Sequence, residues 1–499
     1  MAYILTFDLG GTNFRAGLVD PDGGVHTLAT HRGGAGDGAR GGEADPEDWW
    51  SGLRHLVEEI AERDQHRFAM VEGVAITGFT RTQVLLDADL RPTRPAILFG
   101  DTRADAEMDE IRRLAPKSHP ETAALNAFHP VARLFWLARK DPAALAAAAA
   151  VVEPKDFLNA RLTGRIATDR VSSARLVAAG RAHGGGALFG ALGLDAALSP
   201  QALDPLQVLG PVLPGLPGAL GRLAGRPVIA MAHDTWAAVL GLGALRDGRA
   251  YNLSGTTDVF GLMTEKPAEA EGLMSVDWGP VHQLGGPSQC GADTLLWALR
   301  LVAGDKVGPG DVGAALAAAE TAPGAGPLIF LPYLGGERTP WWNPALRGAF
   351  VGLSRDHGPG DCLRAVMEGV GFLNRIVLER AEAATGRRAE EIRFGGGGAS
   401  SPVWAQIKAD IFERPVIVAG AAEPGLIGGA MAAWTALGRF ATLAEAQERM
   451  VVVKRRHEPD ALAAGRYRRL RPLFQNAHDA LAPISAALGA LSIPAPERA

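Results

Sequence analysis

The chain has 499 residues, 47% hydrophobic and 21% charged, with a formal net charge of -5. At about 150 residues per domain this length fits two or three domains, and the composition is that of a soluble globular protein. The slightly acidic balance, with no long basic run, argues against nucleic acid or an anionic membrane surface as the main partner. Cys290 and Cys362 form no CxxC pair, which argues against a disulfide scaffold or a cysteine metal site. The N-terminus carries no basic segment, and Asp8 falls where a signal peptide needs an apolar core. The longest apolar run, 143–152, is too short to span a bilayer. A cytoplasmic protein is expected.

In chain order, residues 3–8 read as a strand, Gly10-Gly11-Thr12 as a turn, and 13–19 as a second strand of a hairpin. The glycine-rich stretch 32–43 reads as a loop. Asp45-Pro46 opens a helix whose Trp49, Leu53, Leu56, Val57 and Ile60 share one face. Segments 71–77 and 82–87 read as short strands, and 116–181 as mostly helical. A strand at 227–231 leads through His233-Asp234-Thr235 into a helix over 236–245. A second hairpin follows, 250–253 and 259–264 around Ser254-Gly255-Thr256-Thr257, an echo of the first about 240 residues later. The boundary between two lobes is placed near Asp247. A strand at 392–394 precedes Gly395 to Gly398, then come a helix over 402–412, a strand at 415–418, and Gly425 to Gly429 leading into another helix. The stretch from Arg455 on reads as helical, then Pro/Ala-rich.

Several of these segments suit phosphate chemistry. Glycines after Asp8 let backbone N–H groups approach phosphate oxygens, and a carboxylate at a strand end can hold Mg²⁺ through water. They lead into a strand, and the chain lacks GxxxxGK[ST], so this is neither a P-loop nor a Rossmann turn. A plain hairpin is the alternative. Gly255 and Thr256 offer a second such turn. Asp234, between strand and helix, suits a general base or a helix N-cap, and spacing does not separate the two. Gly397, Gly398 and Ser401 open a helix in a way that admits a flat ligand, or form a flexible loop. Thr80-Arg81 offers a charged fork to a substrate or to solvent. The histidines show no metal-ligand spacing.

The run Pro332-Tyr333-Leu334-Gly335-Gly336-Glu337-Arg338-Thr339-Pro340 is the most specific stretch. It continues through Asn343-Pro344, Arg347 to Ser354, and Arg364-Ala365-Val366-Met367-Glu368-Gly369-Val370. With the segments above it resembles the FGGY family of carbohydrate kinases over nearly the whole chain. Residues 153–158, 161–164, 85–89 and 94–98 are similar to the xylulokinase branch. The resemblance implies an α/β protein of two actin-like (ribonuclease-H-like) lobes with an interlobe cleft, 1–247 for the sugar and first phosphate motif and 248–499 for adenine nucleotide. It implies ATP, Mg²⁺, and γ-phosphoryl transfer to a hydroxyl of a small sugar, polyol or sugar acid. By position, Asp8 matches the metal-linked aspartate. Gly11, Thr12 and Asn13 match one phosphate motif, and Gly255 and Thr256 the other. Asp234 matches the catalytic base, and Gly397, Gly398 and Ser401 the adenosine motif. Thr80 and Arg81 fall in the sugar-facing segment.

That segment departs from the branch. Phe79-Thr80-Arg81-Thr82 stands where xylulokinases usually carry Gln-Met-His-Gly, and Phe99-Gly100-Asp101 replaces Trp-Asn-Asp. D-xylulose is therefore expected to be a poor substrate beside another ketose, polyol or sugar acid. A homodimer is admitted, and no nucleic acid or membrane partner is expected. The competing readings are an actin-like ATPase of chaperone or filament type, which has no reason to carry the 337–340 and 350–354 runs, and a sugar-responsive regulator, against which Asp234 speaks.

Overall fold

A computed structural model describes residues 2–33, 42–183, 186–255, 257–304, 319, 328–420 and 423–491. Most of the glycine-rich loop, Thr256, and the tail after 491 lie outside these residues. The chain forms two compact units, Met1–Gly241 with Ala421–Val451, and Leu242–Gly420 with Val452–Ala499. The division differs from a single boundary near Asp247 in two ways. It falls at Gly241/Leu242, because Leu242 already packs against Gly395 of the second unit. It also returns residues 421–451 to the first unit.

The first unit is built on strands β1 (Tyr3–Leu9), β2 (Asn13–Val19), β3 (Val25–Arg32), β4 (Val71–Gly78), β5 (Val208–Pro211) and β6 (Pro227–Ile229), in the order β5-β6-β4-β1-β2-β3. β1 runs antiparallel to β2, with Asp8 opposite Arg15, and parallel to β4, with Asp8 opposite Thr77. Every residue of β1 except Asp8 is buried, as a central strand covered on both faces requires. Helix α1 (Pro46–Arg63) has the expected Asp45 cap, and Trp49, Leu53, Leu56, Val57 and Ile60 are buried in the core of this unit. The region 116–181 is less helical than its alanine content suggests. Helix Pro142–Ala147 gives way to a strand, Ala150–Val152, paired with Val84–Leu86. The β-branched Val151 and Val152 favour the extended chain once a sheet edge is available. Helices α2 (Pro154–Thr163) and α3 (Asp234–Gly241) follow.

The second unit repeats the plan with β7 (Arg249–Ser254), β8 (Asp258–Thr264), β9 (Met274–Asp277), β10 (His282–Pro287), β11 (Glu391–Gly395), β12 (Val416–Ala419) and β13 (Val453–His457). Their order is β9-β10-β8-β7-β11-β12-β13. The hairpin β7-β8 corresponds to β1-β2, and the parallel neighbours β11 and β12 correspond to β4 and β6. Each unit adds an antiparallel strand beyond the last of these, β5 or β13. The echo between hairpins thus extends to whole sheets. Helices α4 (Pro359–Thr385) and α5 (Pro402–Phe412) pack into the core of this unit.

The returning segment contributes α6 (Pro424–Ala436) to the first unit. Gly425, Gly428 and Gly429 lie inside this helix instead of leading into it. A Cβ at Gly428 would meet the Ala237 carbonyl at 1.8 Å, and one at Gly241 the Pro424 carbonyl at 1.9 Å. Helices α3 and α6 therefore cross at a distance only glycine permits.

Candidate active site

In the first unit, Asp8 ends β1 just before the turn at Gly10, whose N–H donates to the Asn13 carbonyl at 3.0 Å. A Cβ at Gly11 would meet nothing within 4 Å, and Gly11 and Thr12 are exposed. The turn therefore leaves room for a ligand against its backbone. Asp8 is half-buried, and its Oδ1 is enclosed without a hydrogen-bond partner. A side chain at Gly425 would come within 2.5 Å of its Oδ2, so the start of α6 admits the carboxylate only because it is glycine. Burial pushes the Asp8 carboxyl up to about 7, Asp234 and Glu423 add to the effect, and Arg15 opposes it. Arg15 Nε lies 3.4 Å from Glu423 Oε1. Asp8 and Glu423 thus share one guanidinium, with Asp234 acting on the charge of Asp8, and the orphaned Oδ1 is a hard oxygen donor. That donor set fits a hydrated Mg²⁺. Among the described residues no group of three His, Cys, Asp or Glu forms a protein-only metal cage.

Asp234 is the first residue of α3. The cap it was free to supply is supplied by its neighbour: the Trp236 N–H donates to His233 Nδ1 at 3.2 Å. Burial holds His233 below the usual imidazole range, in keeping with an accepting Nδ1. The Thr235 N–H and hydroxyl both donate to Asp234 Oδ1, at 2.6 and 3.1 Å, and the side chain is 32% exposed. Its other oxygen is thus available to a substrate hydroxyl. Lys155 is fully buried, 2.5 Å from Asp156 Oδ1 and 2.9 Å from Asp169 Oδ2. It also donates to the Ala230 carbonyl at 3.2 Å, which fixes the start of the loop leading to Asp234.

The loop 80–82 is tied to Glu153. The Thr80 hydroxyl, Arg81 N–H and Thr82 N–H all donate to its carboxylate at 3.2 Å. Arg133 donates to the Arg81 carbonyl at 2.9 Å. These bonds hold Arg81 at φ 60°, in the left-handed region, with its side chain exposed. Burial, with Asp156 nearby, pushes Glu153 up to about 8 despite those N–H donors. Arg81 acts on the charge of His233, so the loop belongs to the surroundings of Asp234.

In the second unit, the Gly255 N–H donates to the Thr257 carbonyl at 3.0 Å, and the Ala292 N–H to the Gly255 carbonyl at 2.8 Å. A Cβ at Gly398 would meet Ser254 Oγ at 2.8 Å, and one at Gly396 the Ser254 carbonyl at 2.4 Å. The turn after β7 and the loop after β11 are therefore in contact, as one nucleotide site needs. Gly397 is exposed and a Cβ there would meet nothing within 4 Å. Ser401 is buried and its Oγ accepts from the Trp404 N–H at 3.1 Å, so its hydroxyl caps α5.

Sequence reasoning had not assigned roles to Glu423, Gly425, Glu153, Lys155 or His233. The available signal was charge in apolar surroundings, as at Lys155-Asp156 in the run 150–160.

A duplicated sheet carrying a glycine turn after the first strand of each copy, with acidic residues gathered in one copy, is the plan of a two-domain actin-like protein. The family descriptions "FGGY family of carbohydrate kinases", N-terminal and C-terminal domains, match residues 3–241 and 250–437. The chain is 31% identical over 461 residues to a xylulose kinase of Escherichia coli K12, covering 89% of this chain and 92% of that one. It is 25% identical over 514 residues to a gluconokinase of Bacillus subtilis 168, covering 95% of each. Its structure matches a xylulose kinase of Rhodospirillum rubrum with TM-score 0.85 and 26% identity, over 97% of this chain and 99% of that one. The chain belongs to the FGGY family of carbohydrate kinases: it has the actin-like two-domain fold and phosphorylates an alcohol group of a sugar with ATP. Among the described residues no helix is long and apolar enough to cross a membrane.

Proposed function

We propose that Asp234 is the general base of this kinase. The observation that carries the reading is the transfer of the helix cap to His233, which leaves the Asp234 carboxylate at the mouth of α3 with one oxygen uncommitted. That oxygen takes the proton of the acceptor hydroxyl as the hydroxyl oxygen bonds to the γ-phosphorus and the bond to the β-phosphate oxygen breaks. Asp8 would hold Mg²⁺, which would supply neutralisation of the charge on the phosphates. The turns at Gly11, Thr12 and Asn13 in one unit and at Gly255 and Thr256 in the other receive the phosphates, the Gly255 N–H itself being held by the Thr257 carbonyl. Gly397 and Gly398 receive the adenosine, with Ser401 acting through its cap.

The acceptor is read by Thr80 and Arg81. An exposed guanidinium in a backbone held by Glu153 and Arg133 is a fixed fork of donors. It suits a carboxylate, or hydroxyls arranged differently from those of D-xylulose. The relatives named for xylulose and for gluconate bracket this range. The test is ADP release across pentuloses, hexuloses, polyols and aldonates, in wild type and Arg81→Ala. A different ketose, polyol or sugar acid is expected to exceed D-xylulose in kcat/KM. D-xylulose as the clear best acceptor, with Arg81→Ala harmless, overturns the assignment.

A further inference from the structure

Lys408 lies in α5 with no exposed surface. Its ammonium stands 5.1 Å from the Phe394 ring, 5.3 Å from Trp404 and 6.0 Å from Phe412. It donates to Asn374 Oδ1 at 2.7 Å and lies 3.7 Å from Asp258 Oδ2. Asp258 is equally buried and accepts from Asn252 Nδ2 at 3.0 Å. Burying two opposite charges this completely costs several kcal/mol per ion and is seldom repaid in stability. A structural reason alone is therefore weak, and the place of the pair in the chain supplies another.

Asp258 is the first residue of β8, directly after the turn 255–257, and it pairs across the hairpin with Ser254. Its carbonyl accepts from the Ser288 N–H at 2.8 Å. Lys408 belongs to the helix that begins immediately after the loop 397–400, at the cap residue Ser401. Three enclosed oxygens without partners, Asn252 Oδ1, Ser254 Oγ and Asp258 Oδ1, belong to the two strands of this hairpin near its turn. These side-chain oxygens do not tie the hairpin to α5, whereas Asp258, through Lys408, supplies a link between the residue that follows the turn and that helix. We propose that Lys408 and Asp258 are positioning residues for ATP, setting the phosphate turn of the second unit against its adenosine loop. The inference rests on the reading of those two loops as the nucleotide site.

The test compares Lys408→Met/Asp258→Leu, Asp258→Asn and Gly397→Val in the full chain, measuring thermal midpoint, KM for ATP and KM for the acceptor. The double variant removes both charges together and is expected to keep the wild-type midpoint. Its KM for ATP is expected to rise about ten- to hundredfold, as displaced binding groups give, with the acceptor KM unchanged. Asp258→Asn keeps the side-chain shape and is expected to show the same selective rise, so the test survives if the double variant does not fold. A wild-type KM for ATP in folded pair variants overturns the inference, as does an equal rise in both KM values. Gly397→Val separates the two levels: if it leaves KM for ATP unchanged, the nucleotide reading of the loop fails. If it alone raises that KM, the reading stands and only the role of the pair is lost.

Discussion

Among the described residues each unit buries one lysine completely, and the two are held in opposite ways. Burial by itself lowers an ammonium, but around Lys155 the carboxylates of Asp156 and Asp169, in direct contact, outweigh it and hold the group above its usual range. Around Lys408 burial prevails and draws the group down to about 8, because its one carboxylate stands 3.7 Å away and its other neighbours are the neutral Asn374 amide and three aromatic rings. The repeated sheet therefore does not dictate a repeated interior. The first unit saturates its cation and leaves carboxylates in excess, at Asp8, Asp234 and Glu423. The second leaves an under-neutralised cation beneath its glycine turns. On the proposed roles, one half handles a divalent metal and a proton, and the other a polyanion.

If that contrast is right, removing charge from the first unit should strike chemistry. Asp234→Asn is expected to lower kcat about 10²–10⁴-fold with ATP affinity retained. Steady-state rates at saturating substrate with a separate ATP titration check this, and near-normal turnover would remove the base from the scheme. Lys155→Met leaves Asp156 and Asp169 buried without their cation and is expected to destabilise the protein by about 3–5 kcal/mol. Lys408→Met strands one carboxylate and should lose less in the same urea titration. Equal losses would break the comparison. Arg81→Ala should change acceptor preference by about 1.5–3 kcal/mol in kcat/KM ratio, the usual worth of hydrogen bonds to a charged group. The smallest effect is a pH slope. Glu153 titrates near 8 when folded against 4.5 as a free side chain. The folded state therefore holds the extra proton between those values, and the stability Glu153 contributes is complete below 4.5 and declines as pH rises through 8. Glu153→Gln should flatten the pH dependence of the thermal midpoint between pH 5 and 8, where the wild type loses roughly 1 kcal/mol per pH unit. A slope identical to wild type would refute it.

Much of each hairpin and its turn was legible because alternation and glycine placement are local. Asp45-Pro46 announced a helix for the same reason, and Asp45 caps it as expected. What was not legible depends on partners distant in sequence. The glycines of α6 read as a loop, yet they are the price of crossing α3. The strand at 150–152 needed 84–86 to pair with. His233 and Asp234 compete for one cap, and only backbone geometry shows that His233 takes it. Thr80 and Arg81 were picked out as the sugar-facing pair, but the carboxylate that holds them, Glu153, lies some seventy residues away.

The return of 421–451 to the first unit has a consequence for synthesis. The residues that carry Asp8 and Asp234 leave the ribosome early, but α6, which packs against β1 and α3, does not exist until residues 242–420 have been made. At about 5–20 residues per second that interval is roughly 10–35 s. During it the glycine-lined face of α3 and one side of β1 lack their cover. The first-made half of this enzyme therefore cannot finish folding until most of the second half has been made.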